Sequence, residues 1–474
     1  MTAIDLLISA PHFLTMEGPG VGYQADCAMA VDRGKIIAIG PREELSAAYQ
    51  AQHRIQARRH LVLPGLIDAH MHTGECVLRG LAQDTGHWMM YGLGPFFQQL
   101  NPEAEMLGTQ LAVVEAVRAG TTTFGEYSRH PDRLIPIFNK AGVRSQITVT
   151  IREALDRIYN PGELYAYDRG QGEAMLANCL DIYERFNGAD DGRISVIFGP
   201  QGPDFVSREL LLKIQGLARE KGVKIHMHTQ QGDRETAQMM MRYDQRPVAW
   251  LDEIGYLDEN LIAVHLTDAD EEEAALVARR GASMTLCSGS IGIVDGIVPP
   301  AKAFQDAGGL VALGSDQAPG NNNHNIFNEM KLTALFNKIR YQDPEVMPAW
   351  RVLRMATIEG ARVLGLDGRI GSLVPGKQAD FIAVDLTSPS LAPLYTDPMR
   401  NIVPNLVYSG RGDEVDLAVV DGRVIYEQGC LTGLDEADIL ARVQQAAQRL
   451  GPQAAPEFWR INGTNAQFMQ EGKL

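Results

Sequence analysis

Residues 63–72 read Leu63-Pro64-Gly65-Leu66-Ile67-Asp68-Ala69-His70-Met71-His72. Beyond Pro64-Gly65 the stretch is apolar enough for a buried strand, and side chains on a strand alternate between its two faces. Ile67, Ala69 and Met71 then turn toward a helix layer, and His70 and His72 share the opposite face. Two imidazoles on one face, one strand repeat apart, can reach a single metal ion at about 2.0–2.1 Å.

The same pattern recurs downstream. Val223-Lys224-Ile225-His226-Met227-His228 sets His226 and His228 opposite Val223, Ile225 and Met227. The apolar run from Leu261 ends at His265, and the run from Leu310 ends at Asp316. Each polar group closes an apolar strand, where barrel enzymes place catalytic groups. A single ending of this kind says little; several that deliver imidazoles and a carboxylate to one mouth define a metal site.

Helices separate these strands. Asn101-Pro102 supplies an N-cap and a proline at the first helical position, Leu107, Leu111 and Val114 keep helical spacing, and Gly120 ends the segment. Ser207 opens another helix, with Leu210, Ile214 and Leu217 on one face and Gly222 at its end. Such units run from Pro64 to Leu366, a length that suits a closed (β/α)8 TIM barrel, usually about 250 residues, better than an open sheet.

Both ends of the chain have a β texture. Ala28–Val31 and Ile36–Ile39 flank a hairpin-like Asp32-Arg33-Gly34, and Leu417–Val420 is followed by Asp421-Gly422 and Val424-Ile425. The expected fold class is therefore α/β, a (β/α)8 barrel with a small β-sandwich domain built from both termini. The expected division is 1–62 and 367–433 for the sandwich, 63–366 for the barrel, and 434–474 for a C-terminal helix and tail, with Gly451 to Leu474 loosely attached.

Composition narrows the partners. The 474 residues are 45% hydrophobic and 22% charged, a globular balance. Forty-three basic against 59 acidic side chains give a net charge of −16, which disfavours nucleic acid and anionic lipid. No apolar run approaches the roughly 18 residues of a membrane span. Asp5 stands where a signal peptide would carry Lys or Arg. Five cysteines without a CxxC give neither a disulfide framework nor a thiolate cluster. A cytoplasmic protein with a small-molecule substrate is expected.

The segment 63–72 resembles the first-strand signature of the amidohydrolase superfamily, and Ala119-Gly120-Thr121-Thr122-Thr123, Gly314-Ser315-Asp316 and Gly371–Asp380 match its usual pattern. The resemblance spans nearly the whole chain and is strongest to the triazine hydrolase (atrazine chlorohydrolase-like) and S-adenosylhomocysteine deaminase-like branch. It implies that His70, His72, His228 and Asp316 ligate a metal, His228 rather than His226 because it lies nearer the strand's C-terminal end. It makes His265 and Asp316 catalytic. His265 would contact the attacking water or the substrate, and Asp316 would pass a proton from that water to the leaving group. Binuclear members carry a lysine at the end of the fourth strand. Here that strand, Ile194 to Phe198, is followed by Gly199-Pro200-Gln201, so one divalent ion is implied: zinc first, with Fe(II), Co and Mn compatible. Resemblance also implies a homo-oligomer, a dimer or larger.

Three departures bear on the substrate. Deaminase-like relatives usually carry Glu three residues after the ligand on what is read here as the third strand; this chain has Gln231, and an amide cannot deliver a proton. Asp233 and Glu235 are acids on the same loop. Nucleoside-type relatives have Glu before a Trp that follows the first strand, and here His87 precedes Trp88. The stretch Leu286-Cys287-Ser288 replaces a common His-Cys/Asn-Pro after the strand-6 region. Gln231, Trp88, Glu75, Arg79, Asn322 and His324 are the candidate substrate contacts, with Glu126 and Arg152 also near the mouth. The expected function is mononuclear metal-dependent hydrolysis of a C–N bond in a small, nitrogen-rich heterocycle, of the deaminase or amidohydrolase type. The alternatives are hydrolysis of an exocyclic urea, carbamate or amide, dechlorination of a halogenated azine, and an inactive barrel serving as a scaffold.

Overall fold

The computed structural model describes residues 1–157, 159–160 and 162–474. Strands β1 (Thr2–Leu14), β2 (Tyr23–Asp32), β3 (Lys35–Pro41), β4 (Tyr49–Gln56) and β5 (His60–Pro64) come first. Eight barrel strands follow: β6 (Leu66–Met71), β7 (Thr121–Ser128), β8 (Arg144–Ile151), β9 (Ile194–Pro200), β10 (Ile225–Thr229), β11 (Leu261–His265), β12 (Ser283–Leu286) and β13 (Val311–Leu313). The chain then returns to the first sheet with β14 (Phe381–Asp385), β15 (Val415–Val420), β16 (Arg423–Glu427) and β17 (Cys430–Leu431).

The barrel strands pair in parallel in sequence order, β6 through β13, as helical crossovers require. The seam between β13 and β6 closes through Asp316 N–H donating to the His70 carbonyl at 2.8 Å and His72 N–H donating to the Asp316 carbonyl at 3.3 Å. Gly314 makes that approach possible, because a Cβ there would stand 2.9 Å from the His70 Cβ.

The nine-stranded sheet from the two termini is a continuous hydrogen-bonded path of eight strands with β4 branching onto β1, and the N-terminal half reaches the C-terminal half where β5 pairs antiparallel with β14. Ile8, Phe13 and Val31 meet Phe381 and Val419 in one buried cluster. Arg33 and Gly34, both at positive φ, make the tight β2–β3 turn that Asp32-Arg33-Gly34 suggests. The change of sheet comes at Gly65, where the expectation puts it after residue 62. Arg144, at the start of β8, is 2% exposed and joins the two sheets: Nε donates to Asp380 Oδ2 at 2.7 Å and Nη2 to Asp421 Oδ1 at 2.6 Å.

Two expectations need correction. His228 lies on β10, the fifth barrel strand rather than the third, and Leu286-Cys287 closes the seventh. The C-terminal segment is not a loose tail. A helix spans Glu436–Ile461 and a second spans Gly463–Gln470. Leu450, Ala454 and Phe458 keep helical spacing and bury against Leu78, Leu93 and Phe96, while Pro452 and Pro456 lie on the exposed side. Asn465 Nδ2 donates to the Gln83 carbonyl at 2.7 Å. Among the described residues no helix is long and apolar enough to cross a membrane.

Candidate metal centre

His70 lies near the end of β6 and His72 directly follows it, His228 is the penultimate residue of β10, and Asp316 follows β13. Asp316 Oδ1 is 3.6 Å from His70 Nε2 and 3.5 Å from His72 Nε2, and His228 Nε2 is 3.4 Å from His72 Nε2. Ligand atoms of His70, His72 and His228 lie within 4.8 Å of one another, as do those of His70, His265 and Asp316. The structure thus brings together every residue expected at the ion. His226 stands apart, with both ring nitrogens turned to protein groups.

The donor set fits a divalent cation. His70 Nε2 and both ring nitrogens of His265 are buried without a hydrogen-bond partner, an arrangement native interiors rarely tolerate. His72 Nδ1 sits 3.0 Å from the Tyr127 carbonyl and His228 Nδ1 2.8 Å from the Gln201 carbonyl, which leaves each Nε2 with a lone pair. Burial pushes His70 and His228 well below the usual imidazole range and His265 to about 4, so all three are neutral at pH 7. Ser290 Oγ donates to Asp316 Oδ2 at 2.6 Å and turns Oδ1 toward the imidazoles. Asp316 (φ 59°) and His265 (φ 77°) both hold left-handed backbone conformations, strain that clusters at functional sites.

Above this floor opens a cavity of about 720 Å³, walled by Trp88, Phe97, Tyr127, Tyr159, Tyr165 and Phe205. Glu75, Trp88 and Gln231 line it, as expected of substrate contacts, and so do Glu126 and Arg152. Burial, with the Asp316 charge nearby, pushes Glu75 up to about 8, and burial beside Arg129 lowers Arg152 to about 10. Three expected contacts lie elsewhere. Arg79 turns outward to Glu115, 3.1 Å from its Oε1, because that carboxylate on the neighbouring helix neutralises it. Asn322 caps a short helix in the left-handed conformation and accepts from Gln83 Nε2 at 3.1 Å. His324 is fully buried behind the strand ends, its Nδ1 2.8 Å from Ser315 Oγ.

Glu235 does not replace the missing acid. Its carboxylate accepts from the amides of Gln230 (2.6 Å) and Gln231 (2.9 Å), so it shapes the loop beneath Gln231. Glu126 accepts from Thr73 N–H at 3.1 Å rather than pairing with an arginine. Sequence reasoning missed Arg129 and Ser290. Arg129 follows β7 at the mouth, and the strand-end rule that found the histidines would have found it. Ser290 sits in the helix Ser288–Val294, and no sequence pattern distinguishes it from its neighbours.

A closed parallel barrel with imidazoles and a carboxylate converging at the C-terminal ends of its strands defines a metal-dependent hydrolase. Residues 61–425 match the model of the amidohydrolase family. The chain is 33% identical over 451 residues to a 5-methylthioadenosine/S-adenosylhomocysteine deaminase of Syntrophobacter fumaroxidans, covering 94% of this chain and 99% of that one. A zinc-bound adenosine deaminase structure from Xanthomonas campestris is 30% identical, with a TM-score of 0.86 over 95% of this chain and 99% of that one. Zinc-complexed atrazine chlorohydrolase from Arthrobacter aurescens, at 20% identity and a TM-score of 0.82 over 93% of this chain and 100% of that one, shares the fold. The chain belongs to the amidohydrolase family, and it is a hydrolase of carbon–nitrogen bonds other than peptide bonds.

Proposed function

We propose that the protein removes an amino group from a small, nitrogen-rich heterocycle, using one divalent ion held by His70, His72, His228 and Asp316. The observation that carries this reading is the convergence of those four side chains on the floor of an aromatic-walled cavity. The absence of a lysine at the end of β9, where Gly199-Pro200 close the strand and Gln201 follows, supports one ion rather than two. Zinc is favoured by the three-nitrogen, one-oxygen donor set and by the zinc in the Xanthomonas campestris structure, with Fe(II), Co and Mn compatible.

A divalent ion held by these residues would supply Lewis acidity that lowers the pKa of the attacking water toward about 7. Asp316 Oδ1 receives the proton given up on attack, while Ser290 holds Oδ2 in place. His265, buried and neutral, offers a ring N–H to the atom on which charge develops. Gln231 donates a hydrogen bond to a ring nitrogen without protonating it. The carbon under attack must therefore be electrophilic already, as in a ring with several nitrogens. Arg129 and Arg152 at the mouth share one carboxylate, Asp156, at 2.5 and 3.7 Å, and Arg133 pairs with Glu105 at 3.6 Å. The names of the deaminase relatives place aminated purines among the candidates, beside rings richer in nitrogen that need no ring protonation. Five unpaired cysteines fit the reducing cytoplasm, and the family resemblance supports an assembly of two or more copies.

Mass spectrometry of products from metal-reconstituted protein and a panel of aminated heterocycles, chlorotriazines, ureas and carbamates tests this. An intact ring returned with hydroxyl in place of amino is expected. Loss of chloride, or cleavage of the molecule in two with no deamination, would move the assignment to the other hydrolyses.

A further inference from the structure

The three imidazoles at the ion differ in what holds their far nitrogen. The partners of His72 Nδ1 and His228 Nδ1 are backbone carbonyls, at 3.0 and 2.8 Å, and a carbonyl can only accept. Each Nδ1 therefore carries the proton, and no side-chain substitution of the partner changes that. His70 has no such carbonyl. Its Nδ1 lies 3.2 Å from His226 Nε2, and His226 Nδ1 lies 2.9 Å from Thr148 Oγ1. Imidazole and hydroxyl each donate or accept, so this chain could run in either direction.

The far end decides it. Among the described residues His70 Nε2 is buried with no hydrogen-bond partner, Asp316 Oδ1 standing off at 3.6 Å, so a proton there would be an unsatisfied buried donor. The proton belongs on Nδ1, where it donates to His226 Nε2. His226 then carries its own proton on Nδ1 and donates it to Thr148 Oγ1. His226 is fully buried, does not line the cavity, and belongs to neither group of converging ligand atoms. Its ring meets that of His70 edge-on, with centroids 5.0 Å apart.

We propose that His226, backed by Thr148, is a positioning residue that sets the tautomer and orientation of His70 and so the affinity of the centre for its metal. This rests on the metal-site reading given above. Of the three ligand imidazoles, His70 is the one whose orientation is assigned to a replaceable side chain.

The test measures Zn(II) affinity by chelator competition, the visible spectrum of the Co(II)-substituted protein, and apoprotein melting, for His226→Met, His226→Gln and Thr148→Val. His226→Met removes the acceptor at similar volume and is expected to weaken Zn(II) binding about 10–100-fold and shift the Co(II) bands. His226→Gln, whose Oε1 can accept from His70, is expected to recover most of the affinity and the spectrum. Thr148→Val is nearly isosteric and is expected to weaken binding by a smaller factor with apoprotein melting unchanged. Wild-type affinity in His226→Met overturns the proposal, and so does equal weakness in His226→Met and His226→Gln. Should His226→Met not fold, wild-type affinity and spectrum in Thr148→Val overturn it. A wild-type protein that binds neither Zn(II) nor Co(II) would instead sink the metal-site reading itself.

Discussion

The amide of Asp316 donates to the carbonyl of His70 at 2.8 Å, so two of the proposed ligands also form the seam that closes the barrel. An ion joining their side chains would clamp β13 to β6 from the mouth. Chelation is therefore expected to lower the melting temperature by an amount that grows with the free metal of the reference sample. Backbone amides in residues 66–72 and 311–316 should exchange faster in the stripped protein. Equal exchange at the seam with and without metal would separate closure from metal binding.

Arg144 ties the barrel to the sheet from both termini, and it is nearly inaccessible to water. Replacing it with Met leaves Asp380 facing a buried gap without its cation, while Asp421 keeps Arg193 at 3.8 Å. Loss of one partner from a buried ion pair costs roughly 3–5 kcal/mol. Urea denaturation of Arg144→Met should show a loss of that order with the metal content unchanged. A loss below about 1 kcal/mol would place Arg144 among the surface pairs in energetic terms.

Gln231 lines the cavity where an acid would protonate a ring nitrogen. Gln231→Glu supplies that acid, and general acid catalysis contributes typically about 10²–10⁴-fold. Steady-state kinetics on an aminopurine should show kcat/KM rising at least about tenfold, toward the lower part of that range. Unchanged or reduced kcat/KM would mean that the native substrate needs no ring protonation.

Phe458 packs 5.8 Å from Phe96, centroid to centroid, behind the wall that carries Trp88. Phe458→Ala should loosen that wall, raise KM more than it lowers kcat, and open residues 84–100 to limited proteolysis. Phe-to-Ala changes in cores cost about 3–5 kcal/mol, but a helix at the periphery can release much of this by local unfolding. Wild-type KM and proteolysis would make the C-terminal helix irrelevant to the cavity.

Burial, then the charges of Asp316 and Asp233, push Asp295 up from the usual 3.8 to about 6, with the Trp88 indole opposing them. The folded state then holds a proton that the unfolded state has released, so stability falls as pH rises through that window and levels off above it. Asp295→Asn removes the penalty. In metal-free protein the variant should match wild type near the lower end of the window and melt higher than wild type at about pH 7. A pH-independent difference between the two would assign the effect to packing.

Much of this molecule was legible in order. Alternation of period 2 placed His70 and His72 on one face and the pair His226 and His228 on another, and four strand ends with polar groups located the mouth. Those signals are local, because strand geometry fixes which side chains share a face. The C-terminal helix was misread because Pro452 and Pro456 interrupt a helical pattern whose buried face, Leu450, Ala454 and Phe458, becomes visible only with its partner beside it. Arg79 and His324 sit close to ligands in sequence, yet the chain turns one outward to Glu115 and the other behind the strand ends.

By itself the sequence determined the ligand-bearing strand ends and their facing imidazoles, which follow from spacing within a few residues, and the barrel, which follows from the helix–strand units between Pro64 and Leu366. Only the tertiary structure decided which nitrogen of each imidazole is free, which acids reach the cavity, and that Asp316 closes the barrel against His70. Those depend on contacts between residues as far apart as Thr148 and His226, or Ser290 and Asp316, and no local pattern encodes a distance across the fold.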